Sequence, residues 1–275
     1  MSNSRQRSTP PKSPDGLLVR TFAVSYSSGH RIHAHSHDWD QLLYASGGVM
    51  TIDTSEGSWV VPPHRAVWIP AGVEHSVWMS GPVSMRTLYL LPGLSGEMPR
   101  NCCTVNVPAL LRELIHEAVA RGTLAEDVPS DVRLAGVILD QFAVLPAVPL
   151  QLPIPRDPRA RKVAELLQAD PSPNTPLSRV ARQAGASART LERLFRSETN
   201  MSFGKWRQRL RLLHALRLLA AGEPVTSVAL GAGYSSPSAF ISMFRRELGT
   251  TPSRYHADGH MPGLVQSTKS AVRWR

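Results

Sequence analysis

Two stretches of this chain, residues 177–203 and 225–252, carry the same pattern, and that duplication constrains the fold more than any other feature. Each reads as a short helix with apolar periodicity, a glycine turn, and a second helix that closes on phenylalanine. In the first copy Ala181 stands four residues before Gly185, and Ser187, Leu191 and Phe195 follow. In the second, Ala229 stands four before Gly233, and Ser236, Phe240 and Phe244 follow. The offset is 48 residues at the alanine and glycine and 49 from the serine onward, so the second copy holds one extra turn residue. A small residue facing a glycine turn lets two helices cross closely, which a helix-turn-helix unit requires. Residues 201–221 read as one long helix joining the copies, with Leu210, Leu213, Leu216, Leu218 and Leu219 supplying its apolar faces.

The charge follows the repeats. Residues 1–155 hold 11 Lys and Arg against 13 Asp and Glu, a balance of −2, whereas 156–275 hold 20 against 8, a balance of +12. A basic domain beside a near-neutral one fits nucleic-acid binding by the first and a different task for the second. The length of 275 residues suits two domains. The two cysteines, Cys102 and Cys103, are neighbours and make no disulfide framework, which fits a reducing cytoplasm. No apolar run approaches the roughly 20 residues of a membrane span. Residues 1–16 are polar and proline-bearing and read as a disordered tail, and 259–275 read as a second loose tail.

Between the tails the expected class is α+β. Residues 17–145 begin with short alternating runs at 41–45, 49–54, 58–61, 66–69 and 86–91, separated by glycine and proline turns, as in a sandwich or barrel. Thr54-Ser55-Glu56-Gly57 makes a hairpin turn. Helical patterns follow at 108–121 and 130–145, suited to capping the barrel or to pairing with a second copy of the chain as a homodimer. Five prolines within 146–158 mark a stiff linker. A helix is expected from 159, opening an all-α domain over 159–258.

These residues resemble the AraC/XylS family of bacterial transcription regulators over 159–255. The resemblance rests on the paired Ala-x-x-x-Gly turns, on Ser187-x-x-x-Leu191-x-x-x-Phe195, and on the closing run from Gly233-Tyr234 through Phe244 to Gly249-Thr250-Thr251-Pro252-Ser253-Arg254-Tyr255. Asn200 stands where the first repeat of that family has glycine; asparagine also tolerates a left-handed helix cap. The resemblance implies a second helix in each unit that enters a major groove of promoter DNA. Arg189, Glu192 and Arg193 then face base edges, where arginine can grip guanine and glutamate can accept from cytosine N4. The matching positions of the second unit are Pro237, Ser238 and Ser242, poor hydrogen-bonding tools. That unit is expected to lean on phosphate contacts by Arg245 and Arg246, as Arg196 does in the first. The helix between the units should hold the two readers about one DNA turn apart, roughly 34 Å. RNA polymerase becomes a partner if the protein is an activator.

The N-terminal half is similar to the cupins. Gly29, His33-Ala34-His35-Ser36-His37, Gln41 and Gly47 resemble the first cupin motif, and Pro70-Ala71-Gly72-Val73-Glu74-His75 the second. In metal-binding cupins two such histidines, a glutamate and a later histidine converge inside the barrel. Here Gln41, or Asp40 beside it, stands at the glutamate position, and Met79 at that of a further asparagine. His35, His37 and His75 could therefore hold a divalent ion weakly, with no dedicated cofactor, or line a small-molecule effector pocket with Trp39, Tyr44, Trp68 and Trp78. The effector pocket is the favoured expectation. The rival is a metal-dependent cupin dioxygenase or isomerase carried on a DNA-binding tail, against which the missing glutamate and the lack of a further acid–base pair weigh.

Overall fold

A computed structural model describes residues 15–63, 65–94, 98–142, 150–171 and 175–258. Among these residues nine antiparallel strands come first: β1 (Leu17–Tyr26), β2 (Arg31–His35), β3 (Asp40–Thr54), β4 (Gly57–Val61), β5 (Arg65–Ile69), β6 (His75–Leu90), β7 (Cys103–Asn106), β8 (Thr123–Ala125) and β9 (Gln151–Pro153). Helices α1 (Ala109–Arg121) and α2 (Pro129–Phe142) interrupt them, and residues 143–145 of the expected second helix lie outside the described residues. The second half is helical: α3 (Pro158–Ala169), α4 (Leu177–Gln183), α5 (Ala188–Thr199), α6 (Phe203–Ala220), α7 (Val225–Gly231), α8 (Pro237–Leu248) and α9 (Pro252–Asp258).

Two long strands organise the sheet. The runs expected as separate strands at 41–45 and 49–54 are one strand, β3, and the run at 86–91 is the end of the 16-residue β6. The glycines between the runs make bulges and not turns. The β3–β6 register shifts between Ala45 and Gly47 and again between Gly47 and Val49. Gly48 has φ +78°, and a Cβ there would lie 2.1 Å from the Pro82 carbonyl oxygen, so no other residue fits. The bulge also reverses which side chains face inward. Leu43 and Ala45 precede it on the inner face, and Met50 and Ile52 follow it there, packed with Trp59, Val67, Val77 and Met85. The opposite face carries Leu42, Tyr44, Trp68, Leu88 and Leu90, covered by Leu111, Ile115, Ala135 and Ile138 of α1 and α2.

The helical half follows the duplicated pattern. Ala181 and Ala229 are fully buried at the two helix crossings. Ser187 and Ser236 cap α5 and α8 by accepting from the amides of Thr190 and Ala239. Phe195 meets Phe203 and Trp206 edge-on at centroid distances of 5.2 and 5.1 Å, and Phe244 meets Tyr255 at 5.4 Å. Asn200 ends α5 in the left-handed conformation, φ 57° and ψ 23°, as Gly249 does for α8 at φ 75°.

The two halves pack against each other. Of the expected linker, residues 146–149 lie outside the described residues, while Gln151–Pro153 form β9 and pair with β4. Leu150 and Leu152 are buried with Val49 and Val60 of the sheet in the same core as α3 and α6. The Trp206 indole N–H donates to the Pro153 carbonyl at 2.8 Å. The proline-rich stretch thus supplies packing as well as span.

The cap at Asn200 yields a stability prediction. Glycine reaches the left-handed region without the Cβ clash that even asparagine incurs, so Asn200→Gly should raise stability by up to about 1 kcal/mol, and Asn200→Ala should lower it by about 1 kcal/mol. Urea unfolding of the three proteins measures both; a more stable alanine variant would contradict the cap.

Candidate nucleic-acid interface and sensor pocket

The second helix of each unit shows one face to its core and the other to solvent. On α5, Leu191, Leu194 and Phe195 are buried, and Arg189, Arg193 and Arg196 are exposed. Glu192, expected to face outward, is half-buried. On α8, Phe240, Met243 and Phe244 are buried, and Ser238, Ser242, Arg245 and Arg246 are exposed. Pro237 is half-buried, and Arg246 Nε lies 3.3 Å from Glu247 Oε1. Ala239 also stands exposed beside Ser238, a position the sequence reading passed over because a lone alanine carries no polar signal. Its methyl group suits contact with a thymine methyl.

The inner end of the sheet holds a cavity of about 680 Å³. Strand alternation decides its lining. Residues 75, 77, 85 and 89 of β6 share one face, which puts His75, Val77, Met85 and Tyr89 in the wall, and β3 adds Gln41 and Leu43. Strand β1 gives Arg20, Phe22 and Tyr26; β2 and the turn after it give His35, His37 and Trp39. The three imidazoles come together, with ring centroids 4.4 Å apart for His35–His75, 5.2 Å for His37–His75 and 6.2 Å for His35–His37. His37 Nε2 lies 3.0 Å from the Gln41 side-chain amide, whose other end reaches the Tyr89 hydroxyl at 3.2 Å. Burial pushes the Tyr89 phenol up to about 12, so it stays protonated.

Three of the expected pocket aromatics lie elsewhere. Tyr44 and Trp68 point from the opposite face of their strands into the core against α1 and α2, and Trp78 is 45% exposed. Phe22, Tyr26 and Tyr89 take their place beside Trp39. They were not legible because their role depends on which strands adjoin.

Among the described residues, no group of three or more His, Cys, Asp or Glu is placed to hold a metal ion. Of the nearby carboxylates, Glu74 is exposed, Asp40 Oδ1 accepts from the Ala71 amide at 3.0 Å, and Asp38 lines the cavity with the histidines.

A ligand-sized cavity in a sheet domain, joined to paired helix-turn-helix units with exposed arginines, defines a transcription regulator that binds DNA and senses a small effector. The chain matches the model of the AraC-like ligand binding domain over residues 22–137 and that of a helix-turn-helix domain over 180–258, and it belongs to the AraC family. It is 39% identical over 223 residues to the transcriptional regulator NimR of Escherichia coli, covering 81% of each chain. It is 36% identical over 126 residues to the regulator RipA of Corynebacterium glutamicum, covering 43% of this chain and 38% of that one. Among solved structures, an AraC-type DNA-binding regulator from Chromobacterium violaceum shares 30% identity over 38% of this chain and 96% of its own, with a TM-score of 0.36. No helix among the described residues is long and apolar enough to cross a membrane.

Burial of His75 has a consequence in pH. Desolvation lowers its pKa from 6.5 to about 4, helped by the neighbouring His35 and His37 and opposed by the bond to the Val73 carbonyl. The unfolded chain therefore takes up this proton first as pH falls. The stabilisation is complete above about pH 6.5 and is lost between there and pH 4, by about 3 kcal/mol at most. His214, also lowered by burial, acts in the same sense. Urea midpoints measured from pH 7 to 4 should fall, and His75→Leu should remove part of that slope; an unchanged slope in the variant would refute the assignment.

Proposed function

We propose that the cavity bounded by β1, β2, β3 and β6 is the effector site, and that its occupancy reaches the DNA-binding units through β6. The observation that carries this reading is the double use of that strand. Its two ends line the cavity with His75, Val77, Met85 and Tyr89, and its middle bears on α6, the helix that spaces the two readers. Gly81, at φ +73°, approaches so closely that a Cβ would lie 2.2 Å from the Ala220 carbonyl oxygen. Asp53, paired in register with Ser76 of β6, lies within electrostatic reach of the half-buried Arg217 of α6. An effector that favours one setting of β6 would shift a pre-existing balance between arrangements of the readers.

In this reading the protein is a cytoplasmic regulator and no enzyme. Arg189 and Arg193 discriminate bases, with Glu192 and, on the second unit, Ser238 and Ser242 beside them; Arg196, Arg245 and Arg246 supply phosphate affinity. The exposed apolar residues Leu110 of α1 and Val132 and Val137 of α2 offer a surface for pairing two copies, which supports a homodimer on promoter DNA. RNA polymerase is a partner if the protein activates.

Binding to a selected duplex should weaken with salt, with a log–log slope of about −0.9 per phosphate contact. Arg193→Ala should cost about 1–3 kcal/mol on the preferred site and relax one base position, and Arg245→Ala should weaken all sequences alike. Gel-shift titrations on selected and random duplexes test both. If the two changes lowered specific and random binding in the same proportion, the division of labour would be wrong. Sedimentation tests the pairing surface: Val132→Glu should convert dimer to monomer, and a monomeric parent chain would end that proposal.

A further inference from the structure

The three imidazoles on the polar side of the cavity are held by backbone carbonyls. Nδ1 of each clustered imidazole lies against a backbone carbonyl oxygen: His35 on His33 at 2.8 Å, His37 on Trp39 at 2.6 Å and His75 on Val73 at 2.9 Å. A carbonyl can only accept, so Nδ1 carries the hydrogen in each ring, and in an uncharged ring Nε2 is then left as a lone pair. His37 Nε2 faces the Gln41 side-chain oxygen, a second acceptor, at 3.0 Å. His75 has no such neighbour: the residue is 1% exposed, and its Nε2 is buried without a hydrogen-bond partner. A buried acceptor left unmatched costs free energy that a matching donor recovers.

Phe22, Tyr26, Ile32, Val77 and Met85 make an aromatic and aliphatic wall, which the polar Ser36 and Asp38 join. The one guanidinium in it, Arg20, is ion-paired with Asp15 and stacked on Trp39 with its carbon 4.5 Å from the ring centroid. Its charge is answered within the protein. A carboxylate entering here would meet the His75 Nε2, which offers it no hydrogen to accept, and the like charge of Asp38 in the lining.

We propose that the cavity selects a compact aromatic molecule bearing an N–H or O–H group that donates to Nε2 of His75, and that it rejects a carboxylate of similar size. Such a ligand fills the apolar wall with its ring and satisfies the orphaned acceptor with its donor. The half-exposed His35 ring, packed at 4.4 Å over His75, turns aside to admit it. This inference rests on the cavity being the effector site.

Three probes of similar size separate the two statements in calorimetric titrations of the full chain: indole, benzofuran, which has the same shape without the N–H, and benzoate. The expected result is indole binding at least tenfold tighter than either of the others. His75→Leu should bring indole down to the benzofuran level, and His75→Gln, which keeps an acceptor, should retain a preference. Equal binding of indole and benzofuran, or tighter binding of benzoate, would overturn the donor inference while leaving the cavity as a ligand site. Binding of none of the three up to their solubility limits would overturn both. The parent-chain ratio decides the matter even if a histidine variant fails to fold.

Discussion

The close approach of Gly81 to the end of α6 is the contact on which the arrangement of this protein depends. Two backbones meet there with no room for a side chain, because a Cβ on Gly81 would sit 2.2 Å from the Ala220 carbonyl oxygen. A second such crossing, Gly48 on Pro82, pins β3 to β6 beside it. Contacts of this kind transmit displacement well, since packed backbone has no soft side chain to absorb it. Around them lie the buried Val49 and Val60, the Trp206 bond to Pro153, and the Asp53–Arg217 attraction. The helix that sets the spacing of the two DNA readers is therefore seated on the sheet that encloses the cavity.

The same strand explains why the sensor and the reader need not touch directly. Side chains on one face of β6 look into the cavity, and its backbone bears on α6. Desolvation holds the His75 ring uncharged, so the interior offers an unmatched acceptor beside an apolar wall. That character separates ligands by hydrogen-bond donation more sharply than by size.

Much of this was legible in the residues. The duplicated Ala-x-x-x-Gly and Ser-x-x-x-Leu or Phe spacings located both helix-turn-helix units, because each position answers a local demand: a close crossing, a cap, or a core contact. Asn200 could be read as a left-handed cap for the same reason. The histidine motifs pointed to His35, His37, Gln41 and His75 as one cluster. What stayed hidden depends on non-local geometry. Gly47 and Gly48 resemble a turn in sequence, and only the neighbouring strand makes them a bulge that reverses the inward face. Tyr44 and Trp68 resemble pocket aromatics until strand alternation sends them to the opposite core. The prolines of 146–158 resemble a spacer, and the pairing of β9 with β4 is a long-range event that composition does not encode.

Coupling between the cavity and the spacer helix is most directly tested by hydrogen exchange of the full chain carrying His75→Ala, a change made at the cavity and six residues from Gly81. Coupling through β6 predicts faster exchange at residues 79–83 of β6 and in the last turn of α6, residues 217–221, with α8 left as in the parent. Faster exchange confined to the cavity strands, with α6 unchanged, would show that the sheet and the DNA-reading helices are merely packed together and not coupled.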